Sequence, residues 1–402
     1  MEHVGLSNPQ ARTLFFKQCI HNNLYYWYTW VKKNSADIPA MDHERNNIVK
    51  AITFALRMQD VDWPTARALV ELFSPYIEKR GFWDNWNGIL KQAIAVAQRL
   101  EDTPGEVNLS ALLTRLLFRQ GRVREATQYS RRIARLARRI GDLFNEARVY
   151  TNLGYYYAEY GQLYRSEVLC YYALKLFEQI NNDHGQAHTH NHLGVLFDLK
   201  QCWDTALNHL LRACDIWQKT GDNHGLMFGY INLGTLYTTR QQPDQALQYL
   251  EQAHNLAKLT GDETSLGMIY VNKGFAYKKK GDYVQAEHFA KQAELIFRPM
   301  ANFQELARLW DNLGMACLYQ GKHNEAKVHL EASLEMWRKL DNKGSEINTL
   351  IDIVEYELVT GNQPQARVIF SKAEALLEQY HHHKALPHLQ SILREYRRRL
   401  TN

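Results

Sequence analysis

Three imidazoles stand at His184, His188 and His192, inside the stretch DHGQAHTHNH. Their spacing of i, i+4, i+8 sets them along one face of a helix. Zinc is bound by such pairs, but it needs a third or fourth ligand, and no H-E-x-x-H accompanies them. We therefore expect polar side chains lining a surface, with no metal and no cofactor. A second set is made of carboxamides. Asn152, Asn232, Asn272 and Asn312 each precede a glycine by two residues, and His192 takes that place once. An amide both donates and accepts, so a row of them can hold an extended main chain without reading its side chains.

Nothing in the chain points to catalysis. There is no G-x-S-x-G, no C-x-x-C, no Rossmann glycine pattern and no phosphate-binding G-x-x-x-x-G-K-[ST], so no enzyme is expected. The five cysteines are scattered, and Cys170, Cys214 and Cys317 fall on apolar helical positions, where cysteine acts as a small hydrophobe. That usage fits a reducing compartment. No apolar run reaches the length of a membrane span and the first residues lack a signal-peptide pattern, so a soluble, cytoplasmic protein is expected. The net charge of +5 is mild. It is concentrated in Arg115–Arg139, which holds nine arginines against the single acid Glu125. Arg131, Arg135, Arg138 and Arg139 would make a ridge on one helix, read here as a solvated face, with a dock for nucleic acid or an acidic protein as the alternative.

These residues are positioned by a repeat. Asn152–Gly154 (NLG) returns at His192–Gly194, Asn232–Gly234, Asn272–Gly274 and Asn312–Gly314, each 40 residues after the last. Aromatics flank the glycine on the same helical face, as in Tyr230 and Tyr237 or Tyr270 and Tyr277. A turn follows at Gly121, Gly161, Gly281, Gly321 and Gly361, with Gln201 and Gln241 replacing the glycine twice. Five residues later comes a small side chain: Ala126, Ser166, Ala206, Ala246, Ala286, Ala326 and Ala366. Asp or Asn then opens the next unit after the second helix ends. Two helices of about 15 residues per unit predict an all-α solenoid.

The combination of Leu–Gly, Tyr, Ala and Ala resembles the tetratricopeptide repeat (TPR), in the 40-residue NLG form seen in kinesin light chain, Pins-type adaptors and bacterial regulators. The resemblance covers about seven units over residues 101–380, preceded by degenerate helices over 1–100 and followed by a capping helix over 381–402. It implies a right-handed superhelix of antiparallel helix pairs. The N-terminal helices resemble the arm of STAND-class signalling ATPases, through Glu44–Asn47 and Arg80–Phe82, although the ATPase motif is absent.

In similar extended TPRs the asparagine faces a concave groove and holds a peptide backbone. Helices about 10 Å apart and a peptide advancing about 3.3 Å per residue would give one amide for every third peptide residue. The resemblance and helical spacing together place Asn152, Tyr155, His188, Asn191, His192, Phe228, Asn232, Thr235, Asn272, Phe275, Lys278, Lys279, Arg308 and Asn312 in the groove. The alternative for the asparagines is bonding to the neighbouring repeat's backbone, with ligand binding incidental. The expected function is a non-enzymatic scaffold for a protein or extended peptide. Two others stay open: a sensor or regulatory subunit working with a separate effector, and an arginine-driven nucleic-acid binder.

Overall fold

Every described element is a helix. The computed structural model describes residues 9–58, 62–300, 302–379 and 387–401. The helices are α1 (Pro9–Asn34), α2 (Ile38–Arg57), α3 (Trp63–Arg80), α4 (Trp83–Arg99), α5 (Thr103–Arg119), α6 (Val123–Ile140), α7 (Leu143–Glu159), α8 (Leu163–Gln179), α9 (Asp183–Leu199) and α10 (Trp203–Thr220). They continue with α11 (Asn223–Thr239), α12 (Pro243–Thr260), α13 (Glu263–Lys280), α14 (Tyr283–Phe297), α15 (Phe303–Tyr319), α16 (His323–Lys339), α17 (Lys343–Val359), α18 (Gln363–Gln379) and α19 (Pro387–Thr401). The triplet His381–His383 lies outside the described residues.

Two compact units divide at Leu116 and Leu117, within α5. In unit one, the guanidinium of Arg45 stacks 3.8 Å over the Phe82 ring, and Asn47 donates to Glu44 at 2.7 Å. In unit two, each odd-numbered helix from α7 to α17 pairs with the even-numbered helix after it and also packs on the next odd-numbered one. Neighbouring even-numbered helices approach far less, so the odd-numbered helices form the inner wall of a curve. The curve brings Leu340, between α16 and α17, against Gly121, between α5 and α6, and sets Arg124 3.7 Å from Asp341.

The glycine in NLG marks where the two helices of a pair touch. A Cβ on Gly194, Gly234 or Gly274 would sit 3.3 Å from the carbonyl oxygen of Ala206, Ala246 or Ala286, and Gly314 stands 3.2 Å from that of Ala326. Those alanines are fully buried, because any larger side chain would push the helices apart. The flanking aromatics stack on the partner helix in matching pairs. Phe197 lies on His209, Tyr237 on Tyr249 and Tyr277 on Phe289, with centroids 5.4–5.5 Å apart and planes within 8° of parallel.

Chain reversals recur every 20 residues. The residue closing each helix from α3 to α17, α14 excepted, is left-handed, whether glycine (Gly81, Gly121, Gly141, Gly161, Gly221, Gly261, Gly281, Gly321, Gly361) or not (Glu101, Asn181, Gln201, Gln241, Asp341). An L-residue costs about 1–2 kcal/mol in that conformation. Gln201, at φ 60°, is exposed, and Gln201→Gly is expected to raise the unfolding free energy by about 1 kcal/mol, the relief exceeding glycine's entropic cost. A shift in urea midpoint measures it. Each odd-numbered helix from α7 to α17 opens with a side-chain cap: Asp142, Asn182, Asp222, Asp262, Asn302 and Asn342 accept the backbone N–H three residues on.

Candidate functional site

The inner wall is built from register positions that recur on α7, α9, α11, α13, α15 and α17. The row two residues before the glycine reads Asn152, His192, Asn232, Asn272 and Asn312, and one period later it is Asp352. All are partly exposed except Asn312, which is buried.

Hydrogen bonds run along this row from helix to helix. His192 Nδ1 lies 3.3 Å from the Thr151 carbonyl oxygen. Asn232 Nδ2 donates to Asn191 Oδ1 at 2.9 Å. The Thr235 hydroxyl donates to Asn272 Oδ1 at 3.0 Å, while Asn272 Nδ2 donates to the Met268 carbonyl at 2.9 Å. Asn312 Nδ2 reaches the Val271 carbonyl at 3.5 Å, and the Thr349 hydroxyl donates to Asp311 Oδ1 at 2.8 Å. Asn232, Asn272 and Asn312 therefore tie neighbouring repeats together, and only Asn312 does so through the neighbour's backbone. Their capacity is not exhausted. An amide has two N–H groups and two lone pairs on oxygen, and the two bonds to Asn272 use one of each.

The remaining predicted residues fall into local groups. Tyr155 packs on His192 with centroids 4.8 Å apart. Phe228 meets His224 at 5.0 Å, and His188 meets the Trp217 indole at 5.0 Å. Phe275 carries two cations over its ring, Lys278 Nζ at 5.2 Å and Lys279 Nζ at 5.7 Å. Arg308 pairs within its own helix with Glu305 at 3.6 Å. Asn152 is half-buried on α7. On α6, Arg131, Arg135 and Arg139 are exposed, whereas Arg138 donates to Glu146 at 3.0 Å and to Tyr150 at 2.8 Å.

The inner wall also carries acids. Burial and the charge of Asp352 push the Asp311 carboxyl well above its usual range, against hydrogen bonds from Thr349, Ser333 and Trp337. Burial also raises Asp352, while Lys278 and Lys279 pull it down. The lysines on α13 thus already feel this acid on α17. The neighbouring Glu355, buried, accepts Tyr319 at 2.7 Å, Tyr396 at 2.9 Å and Arg399 at 2.6 Å, which anchors α19. The register would have revealed Asp352, since it stands 40 residues after Asn312. Nothing local to the sequence links Glu355 to residues on α19.

Burial shifts two further ionisable groups on this wall toward their uncharged forms. Desolvation brings His192 down to about 4, so it is an uncharged imidazole at neutral pH. Desolvation lifts Asp198 to about 6, with the Thr239 hydroxyl at 2.9 Å pulling the other way. Between about pH 4 and about pH 6 the folded chain then holds a proton that the unfolded chain has lost. The contribution of Asp198 to stability therefore falls as pH rises through that window, while the depressed His192 contributes the opposite trend. Asp198→Asn is expected to remove this part of the decline, read from thermal midpoints across the same window.

The tetratricopeptide repeat profile matches residues 186–259, 227–298 and 305–379. These residues form tetratricopeptide repeats. Solved structures share the fold at low identity. A Rap protein complexed with competence and sporulation factor matches with a TM-score of 0.57 and 16% identity, over 83% of this chain and 98% of that one. Aspartyl phosphate phosphatase F from Bacillus subtilis matches at 0.54 and 15% identity, over 90% and 95%. The anaphase-promoting-complex hetero-tetramer Cut9–Hcn1 matches at 0.57 and 15% identity, over 87% and 60%. No curated protein sequence matches the chain significantly. No described helix is long and apolar enough to cross a membrane.

Proposed function

We propose that the inner wall of this tetratricopeptide repeat array binds an extended peptide or protein segment and performs no chemistry on it. The observation that carries the reading is the setting of Phe275. It is a half-buried aromatic, flanked by Lys278 and Lys279, one turn along α13 from an amide with bonding capacity to spare. An apolar side chain beside an acidic group is the ligand feature that such a surface recognises. Amides further along the wall hold the main chain of the ligand. The wall is tied together by its own hydrogen bonds, so it is formed before the ligand arrives and little ordering cost remains to be met on binding. The Rap structure was determined with competence and sporulation factor. That fact belongs to the Rap protein and supports the proposal only as an example of the shared fold carrying a ligand.

The test is a peptide selected from a displayed library against the full chain, labelled and titrated by fluorescence anisotropy. Phe275→Ala is expected to weaken it at least about 10-fold, as loss of an aromatic anchor does, with the melting temperature nearly unchanged. Val168→Asp, at an exposed position on α8, should leave affinity as it was. A selected peptide indifferent to Phe275 and sensitive to Val168 would place binding on the other face and end this reading.

A further inference from the structure

One cluster at the join of two repeats takes no part in the row of amides. His184 and His188, one turn apart on α9, bring their rings to 4.5 Å. The next repeat adds Asp222, whose Oδ2 lies 2.9 Å from His184 Nδ1. One donor atom from each of the three residues falls within 4.8 Å of the others. We propose that His184, His188 and Asp222 bind a divalent transition metal of the zinc class, through three protein ligands with one coordination position open to solvent.

The chemistry fits borderline metals. Two imidazoles and one carboxylate are a common zinc donor set, and bonds of about 2.0–2.2 Å put tetrahedral ligand atoms roughly 3.4 Å apart. Small rotamer adjustments close the gap from the present spacing. The ligands are also oriented by groups behind them, as metal ligands generally are. The second carboxylate oxygen of Asp222 accepts the Gly225 N–H at 2.9 Å, which fixes the carboxylate at the start of α11. The His188 ring stands edge-on against the fully buried Trp217 at 5.0 Å. His184 is exposed, which leaves a path for the ion.

The repeat supplies its own control. One period on, His224 Nε2 sits 3.2 Å from Asp262 Oδ2, the same pairing as His184 with Asp222. There the third position is Phe228, so the pair has no second imidazole from its own helix. A His–Asp clip between repeats is thus the general arrangement, and His188 is what converts one copy into a site with three donors. A bound metal would link α9 to the start of α11 and stiffen the join between two repeats.

The experiment uses the full chain with His381, His382 and His383 changed to Gln, to remove competing imidazoles. Zinc is titrated by calorimetry and cobalt by visible absorption, with thermal unfolding followed in parallel. One equivalent of zinc is expected, with a cobalt spectrum of low coordination number and a raised melting temperature. Asp222→Asn keeps the helix cap, because asparagine caps the equivalent position at Asn182, Asn302 and Asn342. It should weaken the metal at least about 10-fold. His188→Phe installs the residue the fold already carries at Phe228, and should abolish stoichiometric binding. His224→Gln should change nothing. No stoichiometric uptake by the parent chain, or uptake that survives both Asp222→Asn and His188→Phe, would overturn the proposal.

Discussion

Trp217→Ala is expected to lower the unfolding free energy by about 3–5 kcal/mol, the cost of deleting a large buried aromatic and leaving a cavity. The indole has no exposed surface. It is enclosed by Ala187 and Ala213, and it is what forbids a side chain at Gly225, where a Cβ would run into the ring. Its Nε1 makes no hydrogen bond, so the loss is one of packing alone. Ala187, Gly225 and Ala213 are small because the indole fills the space between α9, α10 and α11, and none of them can expand to refill it. In a solenoid, each repeat is held by its neighbours. The damage should therefore appear as loss of cooperativity as well as a lower urea midpoint. A shift worth less than about 1 kcal/mol would show that the three helices collapse onto one another.

The second large effect is expected at Leu233→Ala, about 2–5 kcal/mol. Leu233 is fully buried in one cluster with Leu193, Leu196, Leu210 and Leu236, so it joins α9, α10 and α11. It sits between Asn232, which bonds across to Asn191, and Gly234, the contact point with α12. The three consecutive residues of NLG therefore do three jobs: a tie along the inner wall, a core side chain, and a close approach. Denaturant titration measures the loss. Equal stability of parent and variant would mean that the core does not run continuously through this repeat.

Much of this architecture was legible because a period of 40 repeats local physics. The glycine of NLG, the small residues from Ala126 to Ala366 and the turn sites at Gly121 or Gln201 each answer a steric demand that a single helix pair imposes. The caps at Asp222 and Asn302 are equally local, since a side chain there reaches only three residues on. The inner wall was less legible. Asn232 bonds to Asn191 and Asn312 to the backbone at Val271, and such partners depend on the rise and rotation between repeats, which no spacing within a unit states.

The sequence alone determined that the chain is a stack of paired helices and which residue of each unit touches its partner. These follow from periodicity, because side-chain direction repeats with the helix. The tertiary structure alone decided which groups meet across repeats: Asp222 with His184, Asp352 with the lysines of α13, and Glu355 with Arg399. Those meetings are set by the curvature of the array, a sum of small rotations between neighbours, so residues far apart in the chain come within reach only once every repeat has packed on the next.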